Sequence, residues 1–83
     1  MVLLIEAGKM LKSTRESSSL SLEEVSEDLN IPVIELEQIE AGSIGSFTDI
    51  YELKGMLLEY AKYLGVSTDY VINKFNEYMF DYT

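Results

Sequence analysis

At 83 residues, with 47% apolar side chains and a single proline, the chain is long enough for one small domain with a modest core, and its composition favours helices over a turn-rich β fold. It contains no cysteine and no histidine, which excludes disulfides, thiolate metal sites and the commonest general base. The net charge is −9 and unevenly spread: between Glu16 and Leu53 there are ten carboxylates and no lysine or arginine, so the middle of the chain lacks the groups that neutralise phosphates.

The opening, MVLLIEAGK, is too short and too poor in basic residues for a signal peptide. No run approaches the ~18 apolar residues of a membrane helix, so the expected compartment is the cytosol. Helix one is expected over residues 4–17. Leu4, Ala7, Leu11 and Thr14 form its inner face, with Lys9, Lys12 and Arg15 largely outside it. The serines at 17–19 end this helix in a short polar loop. Ser21 followed by Glu24 reads as a capping box, so helix two starts at Leu22 and runs to Leu29, with Val25 and Leu29 on one face. Asn30 stands where a residue tolerant of positive φ is needed. Pro32 holds Ile31 extended and suits the opening of a third helix, over 33–41. That helix turns Leu36 and Ile39 inward and closes on Gly42 as a left-handed cap.

The longest loop is residues 43–48, with Ile44 and Phe47 expected as core plugs. Helix four is expected from Asp49, with Glu52 as its capping partner. Its stripe of Leu53, Met56, Leu57, Tyr60, Ala61 and Leu64 keeps a strict helical spacing up to Gly65. Ser67 caps a fifth helix, in which Val71, Phe75, Tyr78, Met79 and Tyr82 face inward. The expected fold is all-α: five helices in one domain over residues 1–83.

Helices two and three with their tight turn form a helix-turn-helix, the architecture of a DNA reader. Its chemistry points elsewhere. On the helix that would enter the groove, Val33, Ile34 and Glu37 are outward-facing candidates, and only Gln38 is a residue type that reads base edges. Val33, Ile34 and Glu37 form either a small protein-contact surface or an idle scaffold face with one or two exposed aliphatics. On helix four, Glu52, Met56, Glu59 and Tyr63 share one flank of the apolar stripe and form the main candidate partner site, with Met56 also able to join the core. Tyr51 and Leu58 lie outside the stripe on the other side. No catalytic constellation, phosphate-cradling glycine loop or calcium loop occurs, so no enzyme, cofactor or metal is expected.

The five-helix order resembles the lambda-repressor-like (XRE-type) helix-turn-helix domains. Within them it is most similar to the N-terminal cytoplasmic domain of the RodZ cell-shape proteins. The resemblance is carried by GKMLKSTRE at 8–16, SLEEVSE at 21–27, LEQIEAG at 36–42 and, above all, KGMLLEYAKYLG at 54–65. It implies a non-catalytic module that binds the bacterial actin MreB, or a similar cytoplasmic partner, in cell-shape maintenance. In that family a membrane helix follows the domain; here it would lie beyond residue 83. No nucleic acid is expected as a partner. The family's contact uses two aromatics four apart on helix four, and the match places them at Glu52 and Met56. Two prolines usual in the preceding loop are Thr48 and Ile50 here. In repressor-like domains an arginine of helix one pairs with the glutamate ending helix three. The corresponding residues are Arg15 and Glu40, which implies an ion pair, at least partly buried, between the first helix and the central motif. Two other readings share the fold: an XRE-type transcriptional regulator binding operator DNA as a dimer, and a small soluble adaptor.

Overall fold

The computed structural model describes residues 4–43, 47 and 49–82, the last three without their side chains. Five α-helices follow one another: α1 (Leu4–Ser17), α2 (Leu22–Leu29), α3 (Val33–Ala41), α4 (Ile50–Leu64) and α5 (Thr68–Tyr82). No strand occurs among the described residues.

Local chemistry sets the boundaries. The Ser21 hydroxyl accepts from the Glu24 N–H at 3.1 Å while the Glu24 carboxylate accepts from the Ser21 N–H at 2.9 Å, closing the capping box of α2. Asn30 ends α2 in the left-handed region at φ 59°, ψ 41°. Gly42 and Gly65 do the same for α3 and α4 at φ 75° and 80°. The Asp49 carboxylate accepts from the N–H groups of Tyr51 and Glu52. Glu52 therefore enters the cap of α4 through its backbone, and its side chain stays exposed instead of folding back as the expected capping partner. The Ser67 hydroxyl accepts from the Tyr70 N–H at 3.2 Å and starts α5. One bend has no counterpart in the sequence signals: Ser19 adopts φ 58° to turn the chain out of α1.

The core is one cluster, and α1 runs through it, packing on α3, α4 and α5. Leu4, Ala7 and Leu11 of α1 join Val25 of α2, Ile31 of the turn, Leu36 and Ile39 of α3, Leu53, Leu57, Tyr60 and Ala61 of α4, and Val71 and Phe75 of α5. Phe47, Met56, Tyr63, Leu64, Tyr78 and Met79 pack on its margin. The Ile44 and Tyr82 side chains lie outside the described residues. At Gly8 the backbone of α1 comes close to that of α3. A Cβ there would stand 2.5 Å from the Ile39 carbonyl oxygen and 2.7 Å from that of Glu40. The absent side chain lets two helix backbones touch.

Two expectations for Arg15 conflict, and the structure decides between them. Periodicity groups it with Lys9 and Lys12 on the outer side of α1; both lysines are exposed, but Arg15 is buried. The ion pair with Glu40 that the family resemblance implies is formed. Arg15 sits four residues after Leu11, one turn further along the buried face. Its charge is tolerated there because a carboxylate meets it.

Candidate functional site

The buried polar pair holds the helix-turn-helix in place. Arg15 Nε donates to Glu40 Oε2 at 2.7 Å and Nη2 donates to Oε1 at 3.0 Å, a bidentate fork. Nη1 donates to the Leu20 carbonyl at 2.8 Å. The Tyr60 hydroxyl of α4 donates to the same Glu40 carboxylate. Four segments thus converge on one carboxylate and one guanidinium: α1, the loop before α2, the end of α3 and α4. The hydrogen bond to Glu40 raises the Arg15 pKa. Burial, followed by the bond to Glu40, pushes the Tyr60 phenol well above its ordinary value. Among the described residues no buried side-chain polar atom lacks a partner.

With that frame fixed, α4 lies beside the turn of the motif. Glu52, Met56 and Glu59 line an open groove of about 330 Å³, with Leu29, Asn30, Ile31, Pro32 and Glu35 on its other side. Glu52 and Glu59 are exposed and Met56 is half-buried. Tyr63 is one step further along, in an adjoining hollow with Asp28, Leu29, Glu59 and Lys62. Its ring packs on the core margin and its hydroxyl donates to the Asp28 carboxylate, a bond that raises the phenol pKa. The four helix-four candidates therefore share a continuous surface, but Tyr63 also ties α4 to α2. Leu29, Ile31, Pro32 and Glu35 form the wall that spacing along α4 could not reveal. Which segment abuts a helix flank is decided by the tertiary fold.

The second candidate surface is separate. Val33 is half-buried and Ile34 is 59% exposed on α3. Glu37 is exposed and looks into a different hollow, shared with Lys12, Arg15, Glu16 and Glu40. Neither Val33 nor Ile34 lines the groove beside α4. On the far side of α4, Tyr51 is 83% exposed and Leu58 is half-buried. Arg15, next to α3, is committed to Glu40. The outer face of the motif presents carboxylates and aliphatic groups, which repel phosphates and suit apolar or cationic contacts. Among the described residues no group of acidic side chains is arranged to hold a metal ion, and no helix is long and apolar enough to cross a membrane.

Comparison with known families agrees with this geometry. The family described as "Helix-turn-helix domain" matches residues 10–71, about three quarters of the chain. No curated protein and no solved structure gave a significant match.

Proposed function

Since the chain belongs to the helix-turn-helix domain family, and since its helix-turn-helix carries no exposed cation, we propose that it is a non-catalytic protein-interaction module, similar to the cytoplasmic domain of the RodZ proteins. Its partner in this reading is MreB-type bacterial actin or a similar cytoplasmic protein, and its role is in cell shape. The observation that carries the reading is the charge layout. No lysine or arginine occurs between Glu16 and Leu53, and Arg15 at its edge is buried in an ion pair. A reader of operator DNA draws most of its affinity from neutralising phosphates with lysine and arginine, and this motif has neither.

The contact surface in this reading is the outer flank of α4. Met56 and Tyr63 supply apolar area, with Glu52 and Glu59 at the edge. Glu52 and Met56 stand where the RodZ resemblance puts a pair of aromatics, so the contact shifts along the helix toward Tyr63. Val33, Ile34 and Glu37 form the subsidiary surface.

The test is binding to the MreB of the same cell, followed by titration calorimetry. Truncating a central contact typically costs ~1–2 kcal/mol or more. Tyr63→Ala should therefore weaken binding roughly tenfold, while Tyr63→Phe, which keeps the ring and loses only the bond to Asp28, should bind nearly as the parent. Val33→Ala should leave the affinity alone. The opposite ranking would move the contact to the helix-turn-helix face. No affinity for MreB in any variant would leave the family membership standing and remove the cell-shape role.

A further inference from the structure

We infer that the groove between α4 and the α2–α3 turn receives a cationic amphipathic protein segment, with apolar side chains on its floor and lysine or arginine on its rim. The inference rests on the protein-partner reading above and specifies the chemistry of that partner. Its basis is how the groove is built. The floor is apolar: Ile31 is buried, while Leu29 and Met56 are half-buried. The rim is acidic on both sides, with Glu35 on α3 facing Glu52 and Glu59 on α4. None of these three carboxylates takes part in any ion pair or side-chain hydrogen bond among the described residues, and no basic residue lines the groove.

The spacing fits a helical or extended segment better than an isolated ion. Glu52 and Glu59 are seven residues apart on α4, which separates them by roughly 10 Å along the helix axis. Met56 lies between them on the same flank. The order acid, apolar, acid is complementary to a segment carrying base, apolar, base at the same pitch. A small hydrated cation would gain nothing from the floor, and a nucleic-acid backbone would meet three negative charges. Each exposed ion pair contributes ~0.2–1 kcal/mol, about a 1.4- to fivefold gain in affinity, so three together give roughly tenfold.

A fluorescein-labelled Leu/Lys amphipathic peptide is the probe, with a Leu/Glu counterpart as control. Binding is followed by anisotropy and located by amide chemical-shift mapping. The Leu/Lys peptide should bind and perturb residues 29–35 and 52–59, while the Leu/Glu peptide should not bind. The triple variant Glu35→Gln, Glu52→Gln, Glu59→Gln should weaken binding roughly tenfold. An equal loss of charge elsewhere, Glu16→Gln, Glu23→Gln, Glu77→Gln, should change it less than about twofold. Equal losses in the two triples, shifts that map elsewhere or absence of binding would overturn the inference, because net charge alone would then account for any attraction. The two proposals can fail separately. If the rim triple leaves MreB affinity unchanged while Tyr63→Ala still lowers it, the interaction module stands and the cationic groove falls. If the peptide occupies the groove and MreB does not bind, the cationic groove stands and the cell-shape role falls.

Discussion

Arg15 and Glu40 are the two charged residues buried among the described residues, and each is the other's hydrogen-bond partner. Removing one partner leaves a buried charge uncompensated, which costs far more than loss of an exposed pair. Arg15→Ala is expected to destabilise the fold by about 2–4 kcal/mol in denaturant titration, against the ~0–1 kcal/mol of a surface ion pair. A result under ~0.5 kcal/mol would mean that the pair is effectively solvated. Tyr60 gives a second residue-level test. Its folded pKa lies above its unfolded value because the phenolate would be buried beside Glu40. The unfolded chain therefore releases this proton first as pH rises, so the contribution is fully present below about pH 10 and drains away above it. Tyr60→Phe should flatten the alkaline fall in stability and cost about 1 kcal/mol at neutral pH for the lost hydrogen bond. An unchanged alkaline slope would assign that fall to other groups. The Glu6–Lys74 pair carries the opposite sign on its acidic side. Lys74 lowers the Glu6 pKa, so that contribution is present above the ordinary carboxylate range and is lost as pH falls.

The helices end where short-range signals say they should. The capping box at Ser21, the side-chain caps at Asp49 and Ser67, the left-handed C-caps and Pro32 act within four residues, and nothing distant competes with them. Ser19 escaped because serine in the left-handed region has no strong sequence mark. The burial of Arg15 escaped periodicity, which assigns a charged side chain outward, and was legible only through the family resemblance that named its partner. That partner, Glu40, lies 25 residues away. The bond from Tyr63 to Asp28 and the second wall of the groove share that difficulty. Both are made by elements that meet only after folding. Two helical glycines separate local preference from packing. Gly8→Ala gains about 1 kcal/mol of helix propensity, yet its methyl would meet two backbone oxygens of α3 that cannot move independently. Overpacking of this kind costs ~1–3 kcal/mol, so a net loss is expected. Gly55 lies in the middle of α4, and a methyl group added there would have nothing within 4 Å. Gly55→Ala should therefore raise stability by about 0.5–1 kcal/mol, read as a higher melting temperature. Opposite signs at the two sites would show that the α1–α3 crossing, and not helix propensity, governs Gly8.

For the molecule as a whole, the charge layout yields the clearest expectation. Six cations face fifteen carboxylates, and Arg15 and Lys74 are already paired. Labelled duplex DNA should show no anisotropy change with the protein at physiological salt. Micromolar binding with a steep inverse salt dependence would require a basic face and would restore the regulator reading. The acidic groove also has a kinetic consequence. A field of one sign, concentrated between apolar walls, acts on a partner before any contact is made. A cationic partner would be drawn in from beyond contact distance, lifting its association rate above the ~10⁵–10⁷ M⁻¹s⁻¹ of unsteered docking. Added salt, with a Debye length of about 8 Å at physiological strength, would slow arrival much more than it hastens departure. The carboxylates around the groove would then govern how quickly a partner is found, while Met56 and Tyr63 govern how long it stays.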